Sequence, residues 1–521
     1  MMARAVWATL LVAAHAASTT PSFHEQRLLW EDKSIDKSDA SSVGVAGGEC
    51  YKGKTDCPFS TRCKKVKEKE NGKTVWKHRC KHKALFPLNG MDIATIVMLI
   101  VATALAAGGG IGGGGLLVPI YSIVGGFPTT QATALSLATI SGGSIANLYT
   151  YTQRYHPNPT LRRPLIDYDA SLLFCPALLA GTMFGGLFSV MFPPWLVVIC
   201  LVVLLGYSGK RTVKKGIAKW NAESAKQKKL SDEEGEMELV DKSPMADAEE
   251  KAGGDEETAV AALEDVPLGV ENPLKPGLTE AQSVRLTTIR KAESRLCQWS
   301  NWGYTSLLWG LVLGFAILRG GRGGESAIPG LECGDGLYWG LFVINLVILL
   351  VATYFLRIRT LNAAEEKTAL GHEPLEGDLA WDKKTTAVYP ALCVFAGVAA
   401  GLLGIGGGMV LGPLLVELGC LPQPIAATSA YVVFITATAG LAQVTILGLL
   451  PGDYALLFSC FGVFATFLGQ TAVDYVVKKY KKDAIVILVI GAIMIIALVL
   501  MAYNGIMQMI YAENYGFSPL C

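Results

Sequence analysis

From residue 91 to residue 509 the chain is a succession of apolar runs, at 91–107, 116–127, 130–151, 168–192, 195–209, 302–318, 337–356, 387–403, 409–420, 425–450, 454–477 and 484–509. A helix needs about 20 apolar residues to cross a bilayer, and most of these runs approach or exceed that length. The runs 116–127 and 409–420 are too short to span, and each follows a glycine cluster. In the first cluster seven of the eight residues from Gly108 to Gly115 are glycine. Glycine costs a helix interior about 1 kcal/mol relative to alanine, so both clusters mark places where a membrane helix breaks.

The two breaks are copies of one another. At a constant offset of 294, Gly110, Ile111, Gly112, Gly113, Gly114, Pro119, Gly125, Pro128 and Ala132 meet Gly404, Ile405, Gly406, Gly407, Gly408, Pro413, Gly419, Pro422 and Ala426. Downstream, Asp169, Leu172, Leu173, Phe174, Thr182 and Gly185 meet identical residues at offset 284, the difference falling in the loop 154–167. This is an internal duplication of the kind that builds secondary transporters. Asp169 and Asp453 match across the copies at helix starts, where N-capping accounts for them. Single glycines such as Gly181 and Gly185 read as close packing between helices.

Charge gives the orientation. Let each glycine unit turn back on itself, with residue 91 starting outside. Arg154, Arg162, Arg163, Lys210, Arg211, Lys214, Lys215, Arg357, Arg359, Lys383, Lys384 and the cluster Lys478–Lys482 then all fall on the cytosolic side, as the positive-inside rule asks. If the unit crossed once, the first arginines and Lys210–Lys219 would lie outside. Under the turn-back reading the first copy enters from outside and the second from inside, so the repeats are inverted.

Irregular backbone at membrane depth survives where protein or a water-filled cavity satisfies it. Broken helices at the midplane present N–H groups and the positive end of a half-helix, which suits an anion. The alternative is that the glycines only let helices pack closely. A phosphate-binding nucleotide loop is excluded, because no Gly-Lys-Ser/Thr follows and no strand precedes.

The paired Gly-rich-then-Pro motifs, each followed by an Ala/Thr/Ser stretch at 131–136 and 426–430, resemble the sulfite exporter TauE/SafE family. The resemblance covers about 91–209 and 387–509 and leaves out the N-terminal module and the central loop. It implies a transporter of small sulfur-containing anions such as sulfite or organosulfonates, an exporter by the family's name, with proton coupling as an option. In the second copy Met409 replaces a glycine, Glu417 adds a carboxylate, and the hydroxyls of the two stretches do not superpose.

Position then nominates a substrate lining of Gly110, Gly112, Gly113, Gly114 and Pro119 with Ser136, Ser144 and Asn147 in the first copy. Gly404, Gly406, Gly407, Gly408 and Pro413 with Thr428, Ser429 and Gln443 make up the second. Ser141, Thr436 and Thr438 lie on the same helices. Hydroxyl and amide donors hold an oxyanion without fixing it too tightly for release, although helix–helix hydrogen bonding uses the same residues. No arginine clamp lies inside an apolar run, so dipoles and neutral donors have to suffice. Glu417 is the proton-coupling candidate, with a carboxylate reaching interfacial water as the other reading.

Arg4, the apolar run 6–14 and the small residues of Ala14-His15-Ala16 read as a secretory signal over 1–17. A Cys-rich exoplasmic module follows over 18–88, with Cys50, Cys57, Cys63 and Cys80 forming two disulfides of open connectivity. His78 and His82 raise a zinc alternative, but the cysteine spacings match no common zinc pattern. The module's nine lysines and arginines from Lys64 to Lys83 form either a solvated surface or a docking patch for anionic lipid, glycan or substrate. The rest divides into a first transmembrane repeat (89–210), a disordered charged cytosolic loop (211–300), two linking helices (301–358), a cytosolic loop (359–385), the second repeat (386–510) and an exoplasmic tail (511–521). The fold class is an all-α polytopic membrane protein with two inverted repeats and broken Gly-rich helices, carrying the small disulfide-rich module.

Charged residues are 17% of the chain, against about 25% in soluble domains. The net charge of +1 gives nucleic-acid binding no electrostatic support. Partners are thus a small anion and the lipid bilayer of the plasma membrane or an endomembrane, reached by the secretory pathway. No nucleophile–base triad, metal-ligand cluster or cofactor motif points to an enzyme. The reading from another class is a membrane-anchored receptor or scaffold whose Cys-rich ectodomain binds a partner.

Overall fold

The computed structural model describes residues 61–70, 73–83, 85–108, 110, 113–156, 163–241, 280–320, 328, 331, 335–370, 379, 381–417, 420–480, 482 and 484–511. The signal segment, Cys50, Cys57, Gly112, the acidic stretch from residue 242 and nearly all of the tail lie outside the described residues, as does the side chain of Glu417.

A hairpin of β1 (Thr61–Glu70) and β2 (Lys73–His82) comes first. Its antiparallel register sets Cys63 opposite Cys80. The sequence reading of this module had not specified strands. The chain then enters α1 (Gly90–Ala107). Asn89 N–H donates to the Asp92 carboxylate at 2.8 Å, and Lys83 pairs with Asp92, the two side chains each 7% exposed. Lys83 also donates to the Pro87 carbonyl at 2.8 Å. This nearly closed ion pair ties the segment after the hairpin to the first turn of α1.

The first break leads into α2 (Gly114–Pro119) and a π-helical turn, Ile120–Val124. Pro119 has no N–H to offer the ladder, which fits the change of winding there. Next come α3 (Thr129–Tyr151), α4 (Tyr168–Met191), α5 (Pro194–Asp241), α6 (Glu280–Glu293), α7 (Trp299–Arg319) and α8 (Gly336–Ala369). After it α9 (Thr385–Leu403), the second break, α10 (Gly408–Glu417), α11 (Pro422–Ile446), α12 (Gly452–Tyr480) and α13 (Ala484–Tyr511) repeat the order of α1 to α5. Eight of these helices are long and apolar enough to cross a membrane.

Packing is reciprocal. α4 runs along α9, and α12 runs along α1. α3 packs on both α11 and α12, α11 packs on both α3 and α4, and α5 lies along α13. The short helices do the same, α2 against α13 and α10 against α5. α7 and α8 are added on the α4–α11 side. The apolar windows of α4 and α11 are 78% and 83% buried, against 17% for α8. The first two are therefore central, and α8 faces outward. Gly181 and Gly185 of α4 meet Gly397 and Gly401 of α9 so closely that an added Cβ at 181 would collide with the Val394 carbonyl oxygen. In the matching place on α12, a Cβ at Gly469 would collide with the Ala104 carbonyl. Helices that touch through glycine bring their backbones within reach of many dispersion contacts.

Two expectations need correction. The disordered loop placed over 211–300 is helical at both ends, as α5 to Asp241 and as α6. Past Gly209 the helix is rich in Lys, Ala and Glu, which favour helix, and it stays docked. A Cβ on Gly216 would touch Leu488, Glu223 accepts from Ala484 N–H at 3.1 Å, and Lys482 lies 4.0 Å over the Trp220 ring. The N-cap of α4 is Asp167, which accepts from Ala170 N–H at 2.9 Å, and not Asp169. Asp169 sits in the first turn and pairs with Lys367 at 3.6 Å.

Candidate functional site

The two breaks meet at the centre of the bundle. Gly110, Gly113, Gly404, Gly406 and Gly407 all have φ between 65° and 77°, a left-handed conformation open to glycine at little cost and strained for other residues. Gly113 is the N-cap of α2, and Gly404 is the C-cap of α9. Gly114 lies against the other break, where its Cβ would fall 2.5 Å from Ile405 Cα, and a Cβ on Gly110 would collide with the Ala426 carbonyl. Gly404 in turn abuts Thr133, Gly406 approaches Ile140, and Gly407 approaches Thr436 Oγ1. Each break thus packs against the helix that follows the other.

Hydroxyls fasten the second break. Ser136 Oγ donates to the Gly404 carbonyl at 3.0 Å, and the Thr436 hydroxyl is shared between the Gly406 carbonyl and the Val432 carbonyl of its own helix, both at 2.9 Å. Ser429 is fully buried, and its Oγ has no partner. The remaining nominated residues separate from this centre. Ser144 donates to the Ser141 carbonyl at 2.8 Å within α3. Asn147 accepts from Gln470 Nε2 at 2.5 Å, a bond between α3 and α12. Gly408 begins α10, while Pro119 and Pro413 sit inside their short helices.

Thr428 and Gln443 belong to cavities on either side of the centre. A cavity of about 760 Å³ opens where α4 and α7 begin, and where α6 and α8 end. Its walls carry Arg163, Arg295, Arg359 and Lys367 together with Asp167, Asp169, Glu293 and Asp382. Thr428 lines it and accepts from Asp167 N–H at 3.1 Å. Burial pushes the Asp167 carboxyl up to about 6, helped by the Asp169 charge and opposed by Ala170 N–H, Arg163 and Lys367. Lys367 is held by Glu293 at 2.5 Å as well as by Asp169. Thr428, Thr436 and Gln443 stand eight and seven residues apart on α11, so one helical face joins the large cavity, the second break and the opposite end.

At that opposite end Gln443 shares a small cavity with Arg319 and Asn345. The sequence reading placed no arginine within an apolar run. Arg319 is the last residue of α7 and follows Leu318 directly, where the run was taken to end. A cation one residue beyond an apolar run reads as a solvated helix end, so its partners become visible only in three dimensions. Asp167 was missed for a similar reason. It shares a stretch with Asp169, and sequence alone does not choose between neighbours two residues apart.

The family model for the sulfite exporter TauE/SafE matches residues 94–238 and 298–501, more than half of the chain. Among curated proteins, the sulfite exporter TauE/SafE family protein 5 of Arabidopsis thaliana is 29% identical over 410 residues, covering 78% of this chain and 82% of the relative. Family protein 1 of the same plant is 28% identical over 392 residues, 75% of this chain and 78% of its own length. Family protein 3 is 27% identical over 408 residues, 78% and 77% respectively. No solved structure matches the chain. With the duplicated breaks at its centre and eight apolar helices around them, the chain is a multi-pass membrane protein and belongs to the sulfite exporter TauE/SafE family.

Proposed function

We propose that this protein is a secondary transporter that exports small sulfur-containing anions, sulfite or organosulfonates, through the centre where the two glycine breaks meet. The observation that carries this reading is the contact between the two breaks, Gly114 of the first against Ile405 of the second, each break holding left-handed glycines. A membrane anchor has no use for backbone held in that conformation at that depth. The reciprocal packing of α1 on α12 and of α9 on α4 supports inverted repeats, since the exchange of the two halves leaves the contacts the same. This reading takes the large cavity as cytosolic and Arg319 as external, in line with the positive-inside rule.

In this reading the anion enters the large cavity from the cytosol, drawn by Arg163, Arg295 and Arg359, and the carboxylates there keep the basic wall from holding it. It passes Thr428 to the breaks, where peptide N–H groups and the unpartnered hydroxyl of Ser429 receive it. Rocking of one half against the other then opens the far side. Proton coupling falls to Glu417 or to Asp167, whose carboxyl is pushed up to about 6 by burial.

Flux in proteoliposomes tests the assignment, with sulfite, sulfate, taurine and sulfoacetate offered with and without a proton gradient. Saturable movement of sulfite or an organosulfonate is expected, at a rate that a proton gradient changes. Protein that reconstitutes intact and moves none of the four removes the assignment.

A further inference from the structure

A cavity of about 20 Å³ lies between α4, α7, α8 and α11, at the end of α7 away from the large cavity. Its polar walls are Arg319, Asn345 and Gln443, and Met183, Val312 and Phe342 are among the apolar ones. The Arg319 guanidinium lies over the rings of Tyr338 and Phe342, 5.0 and 5.3 Å from their centroids. Its Nε is buried and bonded to nothing. Among the described residues no carboxylate pairs with it. Ring faces offset part of a cation's charge, but they do not give the buried Nε–H an acceptor.

Asn345 is equally unsatisfied. It is 2% exposed, its Nδ2 has only the Met183 sulfur at 3.5 Å, and its Oδ1 has no partner. A half-turn of the amide exchanges its two ends, so either one serves the cavity. Gln443 closes the wall from α11. Its Oε1 lies 3.1 Å from where a Cβ on Gly186 would stand, so the glycine leaves the space that this amide occupies.

A cation with no counter-charge among the described residues and an amide without strong bonds, set around a hole, form an incomplete set. Such groups are costly when left unpaired in a protein interior. A small anion completes the set, and the planar guanidinium fork suits an oxyanion through two parallel N–H bonds where a lysine offers a single point charge.

We propose that Arg319, Asn345 and Gln443 form a binding subsite for a small oxyanion at the end of the route opposite the large cavity. Its substrate, sulfite, rests on the transport reading above. In the form described the hole has room for one water, and the anion takes its place as the Gln443 side chain gives way.

The test titrates purified full-length protein with sulfite while the thermal midpoint is read, with chloride at equal ionic strength as the charge-only probe. In the wild type the midpoint rises saturably with sulfite and not with chloride. Arg319→Gln abolishes the rise and, without sulfite, melts no lower than the wild type, because an unpaired charge has gone. An arginine that only holds the fold gives the opposite, a lower starting midpoint and an unchanged sulfite response, and that result overturns the subsite. So does an equal rise with chloride. Asn345→Leu keeps the charge and removes the amide, and raises the half-saturating sulfite concentration about tenfold, the value of one lost hydrogen bond to an ion. It carries the test if Arg319→Gln does not fold, and unaltered half-saturation in Asn345→Leu overturns the subsite too. Flux separates the two readings. A sulfite response lost in Arg319→Gln, in a protein that moves no sulfite, keeps the subsite and removes the transport assignment. Sulfite carried by Arg319→Gln with wild-type half-saturation keeps the assignment and removes the subsite.

Discussion

The two glycine breaks share a sequence and differ in what holds them. The second is fastened by hydroxyls from both copies, Ser136 on the Gly404 carbonyl and Thr436 on the Gly406 carbonyl. At offset 294 the equivalents of those residues are Ala430 and Gly142, and neither has a hydroxyl to give. Among the described residues the first break shows packing, with a Cβ at Gly110 excluded by the Ala426 carbonyl. Beyond it Tyr121 is hydrogen-bonded to Thr139 at 2.6 Å and stacked on Phe458 at 5.0 Å. The helix that follows is also shorter there, six residues before the winding changes, against ten after the second break. On the transport reading the second break, fastened by these hydroxyls, is expected to act as a fixed wall while the first one moves.

The harshest way to probe this difference is to forbid the left-handed backbone in each break by turn. Gly113→Val and Gly407→Val place a β-branched residue at φ of 75° and 77°, at a cost on the order of 1–3 kcal/mol in strain alone. Both variants are expected to reach the membrane and to lose flux by about 100-fold or more, because misplacing a binding group by an ångström costs about that much. Radiolabelled sulfite flux, normalised to surface-labelled protein, checks it. Wild-type flux in both would reduce the breaks to packing surfaces. Loss in only one would show that the two do not share a single binding point.

A milder change removes only the hydroxyls. Ser136→Ala and Thr436→Val each leave a buried carbonyl of the second break without its side-chain donor, a loss of about 1–3 kcal/mol in stability. Ser144→Ala, whose hydroxyl bonds within its own helix, is expected to cost below about 0.5 kcal/mol. Thermal unfolding in one detergent orders the three. If Ser144→Ala costs as much as the other two, the hydroxyls serve helix integrity in general and the asymmetry between the breaks has no energetic basis.

What could be read from the chain follows the range of the interaction. The breaks and the short helices after them are local patterns of glycine, proline and apolar length, and the structure has them where those patterns lie. Contacts across the bundle were not legible. Nothing in the spacing of Arg319, Asn345 and Gln443 says that three helices carry them to one cavity. Asn147 and Ser144 shared a helical face with Ser136 in the sequence, yet Asn147 bonds to Gln470 of α12 and Ser144 to its own helix. A helical face says which residues look the same way and leaves open what they look at. The extension of α5 past Gly209 was hidden because its lysines read as solvated chain, while Trp220, Glu223 and Ser224 dock it on the start of α13.

The smallest effect falls in the helix after the second break. Gly412 lies inside α10, and among the described residues no heavy atom outside its own helix backbone comes within 4 Å of an added Cβ; its φ is not in the left-handed region. The first copy has Val118 at the matching place, so a side chain there is compatible with this kind of half-helix. Gly412→Ala is expected to stabilise the protein by up to about 1 kcal/mol, through helix propensity and a less flexible unfolded chain. Flux should stay within about twofold of the wild type, a change of at most about 0.4 kcal/mol in the barrier. The measurement is a thermal midpoint beside a transport rate on the same preparation. A higher midpoint with unchanged flux agrees with a second break that acts as a fixed wall. A higher midpoint with flux lost would mean that α10 bends at Gly412 during transport. The hydroxyl-fastened break would then be a moving part, and the roles assigned to the two breaks would have to be exchanged.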